Sequence, residues 1–194
     1  MAYLSNDNQG LGTIGFATGT AAASFPYRPV SGFGAGDRYL VFAEAGNSGN
    51  VLERYKGSTG GNLSLTLPAP WTPGSLSLSA LAHPTVSGLS YGGANLRAYR
   101  VELETSALVY GVTLGKGWLG SSTSYTLPDL SAATLLNYTP LSGSVNASVN
   151  AVLSPNPVLG LDENDPASFS ASTDISLAIA TGSYTVGGAG INLP

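Results

Sequence analysis

The sequence predicts an all-β protein, built as an antiparallel β-sandwich or jelly roll. Apolar and polar residues alternate with a period of two along much of the 194-residue chain, as in strands with one buried face. Clusters of Gly, Pro, Asn and Ser separate these runs at intervals of about 8–12 residues, the spacing of sandwich strands. No stretch shows the sustained 3.6-residue period of a capped helix. These three observations together favour about eight to ten short strands in one core.

Individual strands are predicted where the alternation is clearest or where β-branched and aromatic residues accumulate. In chain order these runs are residues 38–43, 63–67, 75–79, 96–103, 109–114, 144–152 and 175–179. The runs 38–43 and 96–103 contain the most aromatic and aliphatic residues, which favours central positions in a sheet.

Turn residues are expected to connect these strands. Loops are predicted at residues 32–37, 47–50, 57–61 and 91–95, and strand ends at Pro68, Pro70, Pro73 and Pro84, because proline cannot donate to a ladder. Residues 115–117 predict a hairpin turn, and 131–136 a short helical turn. The Gly32-x-Gly34-x-Gly36 spacing precedes a strand instead of a helix, so it predicts a turn and not a dinucleotide loop.

The composition excludes several classes of function. Charged residues make up only 9% of the chain, the net charge is −4, and no basic cluster is present, so a nucleic-acid-binding surface is not expected. No apolar run approaches the ~18 residues of a membrane span. With 43% hydrophobic residues the chain can nevertheless build a core. Low charge and abundant Ser, Thr, Gly and Asn favour an extracellular or cell-surface protein, in a mature form whose signal peptide has been removed.

Catalytic chemistry has few candidates. The chain contains no cysteine and one histidine, which excludes thiolate catalysis and two-histidine metal sites. His83 precedes Pro84, as a residue at a strand end would, and Glu102 and Glu104 share one face of a predicted strand, as a polar edge would. We therefore expect no enzymatic activity and no cofactor.

Two kinds of surface site remain open. Asp162 and Asp165 lie in the densest acidic segment and are weak candidates for calcium, with Asp129 or Asp174 completing the shell; a solvated acidic loop is the alternative. Asn-x-Ser/Thr sequons, which accept glycans in exported proteins of glycosylating organisms, occur at Asn62, Asn137 and Asn146.

The first 16 residues differ from the rest of the chain. Leu11, Ile14 and Phe16 are apolar, but glycines interrupt them, and each glycine costs about 0.5–1 kcal/mol in an ordered strand. Such a segment forms a strand when a groove accepts it, and a frayed terminus is the alternative.

Both ends of the chain contain segments that resemble those of a known family. Ala2-Tyr3-Leu4-Ser5-Asn6-Asp7, followed by Phe16-Ala17-Thr18-Gly19-Thr20, resembles the start of mature TasA/camelysin-type proteins. Residues 36–55 are similar to the Gly-Asp, strand, Asn-x-Gly, strand arrangement of that family. Residues 164–179 are similar to its closing acidic loop and strand.

The resemblance implies a jelly-roll subunit of biofilm-matrix fibres, a group that includes archaeal bundling pili. It implies head-to-tail polymerisation, in which the N-terminal segment of one subunit completes the sheet of the next. We therefore expect a donor segment at residues 1–16, a single sandwich domain at 17–194, and the chain itself as partner. The expected donor-strand interface consists of Tyr3, Leu4, Leu11, Ile14 and Phe16. Low charge would also favour lateral bundling of such filaments.

Two other functions are compatible with the same composition. A secreted or surface sandwich could bind carbohydrate through exposed aromatics, for which Tyr27, Tyr91, Trp71 and Trp118 are candidates. A jelly-roll capsid or decoration protein of a virus would have a similar sequence.

Overall fold

The computed structural model describes residues 1–6, 11–18, 26–27, 30–45, 50–56, 64–133, 138–155 and 174–193. These ranges contain twelve strands and one helical turn. The strands are β1 (Ala2–Leu4), β2 (Leu11–Thr13), β3 (Arg38–Ala45), β4 (Asn50–Lys56), β5 (Leu76–Leu78), β6 (Thr85–Ser87), β7 (Leu96–Glu104), β8 (Val109–Gly115), β9 (Ser124–Thr126), β10 (Ser144–Leu153), β11 (Asp174–Thr185) and β12 (Ile191–Leu193), and the helical turn is α1 (Lys116–Leu119).

The strands form two antiparallel sheets. The large sheet has eight strands in the order β2-β1-β3-β4-β11-β10-β7-β8, and the small sheet has four in the order β12-β5-β6-β9. Every pair of neighbouring strands runs antiparallel. Because β2 and β8 are the terminal strands of the large sheet, each has a described strand on only one side of its backbone, and we call the other side an open edge.

The two sheets share one hydrophobic core, as in a β-sandwich. Alternate residues of β7 point into it, with Val101 and Leu103 almost fully buried, and Leu76 and Leu78 of β5 meet them from the small sheet. The indole of Trp71 is 4% exposed and donates to the carbonyl of Ala178 at 2.9 Å, which attaches the segment before β5 to β11. The period-two pattern of the sequence thus corresponds to one buried face of each sheet.

One tight turn in the small sheet requires glycine. Gly88, directly after β6, has a φ of +88°, and a Cβ there would lie 1.8 Å from the carbonyl oxygen of Ser75. Any other residue would therefore collide with the backbone leading into β5, in addition to adopting a left-handed conformation.

Strand β11 connects two parts of the large sheet. Its last ten residues pair with β10 over the shared core, whereas Asp174–Leu177 pair with residues 51–54 of β4. Strands β1 to β4 therefore continue the sheet beyond the sandwich, and we call them the N-terminal extension. Tyr39 and Val41 of β3 are buried there, outside the shared core.

The structure confirms most of the predicted strands. Those at 38–43, 75–79, 96–103, 109–114, 144–152 and 175–179 are present, with small differences at their ends. The strand predicted at 63–67 is wrong for its described part, because residues 64–67 form no strand. This segment leads into Pro68 and Pro70, which cannot donate to a ladder.

The prediction of a hairpin turn at 115–117 is also wrong. Gly115 ends β8, and Lys116 begins α1, which closes with the amide of Gly120 donating to the Lys116 carbonyl at 3.1 Å. For the helical turn predicted at 131–136, the described part, 131–133, is a turn, and the remainder lies outside the described residues. Of the loop predicted at 47–50, residues 47–49 lie outside the described residues and Asn50 begins β4; the loop at 57–61 also lies outside them, whereas 32–37 and 91–95 are loops as predicted.

Candidate functional site

The N-terminal segment forms the edge of its own large sheet. Strand β1 pairs with β3, with Tyr3 opposite Tyr39, and β2 pairs with the other side of β1, with Gly12 opposite Tyr3. The terminal ammonium of Met1 donates to the carbonyl of Gly15 at 2.9 Å. Each of these two ladders is only three residues long, so the backbone holds this segment less extensively than the central strands.

The carboxylate of Asp37 forms hydrogen bonds with the N-terminal segment, in addition to the backbone ladder. Asp37, which is 6% exposed, accepts hydrogen bonds from the amide of Gly34 at 2.8 Å, the hydroxyl of Tyr3 at 2.9 Å and the amide of Asn6 at 2.9 Å. The Gly34 amide, followed by the Tyr3 hydroxyl and with a smaller share from the Asn6 amide, lowers the pKa of Asp37, because each bond favours the ionised form. Two of these three donors belong to the N-terminal segment.

Aromatic rings pack beside this carboxylate. Phe33 stacks on Tyr39 with 4.8 Å between ring centroids, and the edges of Tyr3 and Tyr27 meet Phe33 and Tyr39 respectively. We call Tyr3, Tyr27, Phe33 and Tyr39 the aromatic cluster. It positions β1 on β3 through side chains in addition to the short ladder.

The five residues predicted for a donor-strand interface divide into two groups. Tyr3 and Leu4 are partly buried and pair with β3 of the same chain, at Tyr39 and Arg38. Leu11 lies in β2, with its side chain outside the described residues, while Ile14 is partly buried and Phe16 is 81% exposed. The interface with a neighbouring subunit therefore stays a prediction. Among the predicted residues whose side chains the structure describes, Phe16 is the most exposed to solvent.

The opposite edge of the large sheet has a different character. Strand β8 contains no charged residue and no proline, which are common features of edge strands that resist pairing with another chain. Val109 at its start is 64% exposed, and Trp118 just beyond its end is 72% exposed.

A groove runs beside β8, between it and the small sheet. The edge of Tyr125 from β9 meets the Trp118 ring at a centroid distance of 6.0 Å. The groove has a volume of about 420 Å³ and is lined by Arg97, Val112, Thr113, Leu114, Gly115, Lys116, Gly117, Trp118 and Tyr125. Its two charged residues lie among apolar and backbone groups, and Arg97 is already occupied, donating to the carbonyls of Ser154 and Pro155 at 2.7 Å each. We call this feature the β8 groove.

The β8 groove is not predicted by the sequence, although the strand beside it is. Residues 109–114 read as a strand, but their position at the edge depends on which strands pair with which. Of the four aromatics considered for carbohydrate binding, only Trp118 is exposed; the prediction was wrong for Trp71, which is in the core, and Tyr27 and Tyr91 are partly buried.

The single histidine lies in a polar cluster elsewhere. His83 Nε2 is 2.5 Å from the hydroxyl of Tyr138 and 3.6 Å from a carboxylate oxygen of Asp129. Asp129 accepts the amide of Ser131 at 2.9 Å, the main cause of its lowered pKa. Both neighbours of His83 approach the same ring nitrogen, so this geometry does not reproduce the acid–histidine–nucleophile order of a hydrolytic triad. Glu102 and Glu104 lie on one face of β7, and Arg100 pairs with Glu102 at 2.6 Å.

Most of the remaining predicted surface sites lie outside the described residues. These are Asp162 and Asp165 of the calcium hypothesis and the sequons at Asn62 and Asn137. Asn146 is exposed on β10, in the middle of the large sheet. Within the described ranges, no three His, Cys, Asp or Glu side chains are grouped so that they could hold a metal ion.

Comparisons of the chain with protein-family models, with curated proteins and with solved structures find no match in any of the three. Among the described residues, no helix has the length and apolar character needed to cross a membrane.

Proposed function

We propose that this protein is a structural subunit of an extracellular filament, which polymerises head to tail as its N-terminal segment completes the sheet of a neighbour. The observation that carries the proposal is the N-terminal segment itself. It forms strands, lies at an open edge of the large sheet and exposes 81% of Phe16 to solvent. A strand added to a sheet edge gains main-chain hydrogen bonds, and its apolar side chains fix the register.

The weak attachment of this segment supports a role outside its own core. Its ladder with β3 is three residues long, and Phe16 remains 81% exposed within the subunit. A contact between two different surfaces of identical subunits does not close on itself, so it generates a filament.

The fold and the terminal motifs agree with this role. A jelly roll has two antiparallel sheets over one core, as this chain does, and we propose a jelly roll as its specific fold. The resemblance of residues 2–7, 16–20 and 164–179 to TasA/camelysin-type fibre proteins points to the same function and to the cell exterior. A chain with only 9% charged residues also limits repulsion between packed subunits and favours lateral bundling. The proposal includes no catalytic role and no cofactor.

Negative-stain microscopy tests the proposal directly. The full chain is compared with a deletion of residues 2–16 and with a variant carrying Ile14→Asp and Phe16→Asp, which keeps β1 and its bonds to Asp37. We expect fibres from the full chain and dispersed subunits from both variants, because a neighbour would have to bury unpaired charge in the second. Fibres from all three proteins would show that this segment does not join subunits. Icosahedral particles would support the viral capsid alternative.

A carbohydrate-binding function is the second candidate, because Trp118 is exposed beside Tyr125 in the β8 groove. The chain has two tryptophans, and Trp71 is buried, so fluorescence changes caused by soluble ligands are assignable to Trp118. Saturable quenching by an oligosaccharide, abolished by Trp118→Ala, would favour this function. The absence of quenching across a glycan panel would exclude it for the sugars tested.

A further inference from the structure

We propose that the acceptor for the N-terminal segment is the β8 groove of a second copy, and that residues 11–16 enter it while β1 stays on its own β3. This inference rests on the proposed filament function and names the surface that function requires. It follows from the two open edges of the large sheet, which lie at opposite ends of the same strand order. Pairing of β2 on one copy with β8 on the next would make the large sheets continuous.

The two edges are alike in lacking charge and proline. Residues 11–16 read Leu-Gly-Thr-Ile-Gly-Phe, and β8 reads Val-Tyr-Gly-Val-Thr-Leu-Gly, so neither carries a charged side chain or a proline. No proline therefore interrupts a ladder on the outer side of β8, and no charge has to be buried without a partner.

Apolar surface is exposed at both edges. Phe16 is 81% exposed on one edge, and Val109 and Trp118 are 64% and 72% exposed at the other. Large hydrophobic side chains exposed close to an unpaired strand mark a surface that gains from being covered. In this arrangement Phe16 and Ile14 of one copy contact Val112, Trp118 and Tyr125 of the next.

Glycines keep the flanks of both strands open. A Cβ built at Gly12 or at Gly111 would meet no other atom within 4 Å. Glycine inside a strand weakens it but lets another backbone approach closely.

Side-chain contacts hold β1 on its own β3 during the proposed assembly. Its Tyr3 belongs to the aromatic cluster and donates to Asp37, and the amide of Asn6 donates to the same carboxylate. Among the described residues, 11–13 pair with β1, and residues 14–15 exchange backbone hydrogen bonds with Met1. The segment can therefore bind a neighbour along its outer side without leaving its own subunit.

Cysteine trapping provides a clean test, because the chain contains no cysteine. Thr13 is exposed on β2, and Val109 and Thr113 are exposed on one face of β8. We combine Thr13→Cys with either Val109→Cys or Thr113→Cys in the full chain, assemble it under reducing conditions, oxidise it and run a non-reducing gel. Seven inter-strand spacings separate β2 from β8, roughly 34 Å at ~4.8 Å each, so a disulfide within one copy is not possible.

We expect at least one of the two pairs to give a ladder of covalent oligomers, whereas each single-cysteine variant stops at dimers. The matched control combines Thr13→Cys with Ser183→Cys, which is exposed on β11 away from the β8 edge. Filaments with no ladder from either pair, or an equal ladder from the control, overturn the assignment to β8. Absence of filaments from the wild type and from the reduced variants overturns the filament proposal instead.

Discussion

Replacement of Phe16 by alanine separates a role in assembly from a role in folding. The side chain is 81% exposed in the subunit, so its removal should change the free energy of unfolding by no more than about 0.5 kcal/mol. If a neighbouring subunit buries it, the same substitution removes roughly 2 kcal/mol from each subunit contact, within the ~1.5–3 kcal/mol range for a fully buried large apolar side chain.

This difference gives a specific expectation for the critical concentration of assembly. A loss of about 2 kcal/mol per contact corresponds to a roughly 30-fold increase, since each 1.4 kcal/mol is a factor of ten. The critical concentration is measured as the protein that remains in the supernatant after filaments are pelleted, and the midpoint of thermal unfolding is measured on the soluble fraction.

Leu81→Ala is the matched control for this experiment. Leu81 is 57% exposed, comparable in kind to Phe16, but lies between β5 and β6, away from both open edges. We expect its critical concentration to equal that of the wild type. If Phe16→Ala also leaves the critical concentration unchanged, or if both variants raise it equally, the reasoning that places Phe16 in a subunit contact is refuted.

Three further predictions concern the subunit alone. Leu103 is 1% exposed in the shared core, so Leu103→Ala should lower the free energy of unfolding by about 2–5 kcal/mol in urea titrations. Val109 is 64% exposed, so Val109→Ala should change that free energy by less than ~0.5 kcal/mol. Equal effects of the two substitutions would contradict the burial pattern. Gly88→Ala should destabilise the protein far more than Gly74→Ala, because Gly74 shares a positive φ but has open space around it, and similar melting temperatures would argue against the close approach to Ser75. The hydrogen bonds that lower the pKa of Asp37 stabilise the attached N-terminal segment at pH values above 3.8, the ordinary pKa of this carboxyl. This stabilisation is lost as the pH falls from 3.8 through the lower pKa of the folded state. Amide signals of Tyr3 and Asn6 should therefore shift below about pH 4 in NMR titrations while those of β10 stay constant, and Asp37→Asn should abolish that pH dependence.

The strands of the sandwich were predictable because their burial is one-sided. In β7 and β10 every second residue lies in the shared core, so the period of two in the sequence reports the fold directly. Residues 64–67 alternate leucine with hydroxyl residues in the same way but form no strand. The alternation by itself does not distinguish this segment from a strand, and the signal against one is the pair Pro68 and Pro70, which cannot donate to a ladder.

The shortest strands were the hardest to predict. Thr85–Ser87, Ser124–Thr126 and Ile191–Leu193 are three residues each, too short for alternation to be distinguished from chance. They form by pairing with one another and with β5 in the small sheet, so they depend on the tertiary structure. Pairing order has the same origin, so the position of β8 at an edge, and the groove beside it, could not be predicted from residues 109–115 alone.

The uneven lengths of the ladders have a mechanical consequence for a fibre under tension. Force that enters one edge of the large sheet and leaves at the other crosses every ladder in series, including three-residue registers at β2–β1 and β1–β3, a four-residue register at β4–β11 and a ten-residue register at β10–β11. The short ladders of the N-terminal extension would part first, while the sandwich stays folded. In the proposed filament, Asp37 and the aromatic cluster would add to the load that the β1–β3 ladder bears before it opens.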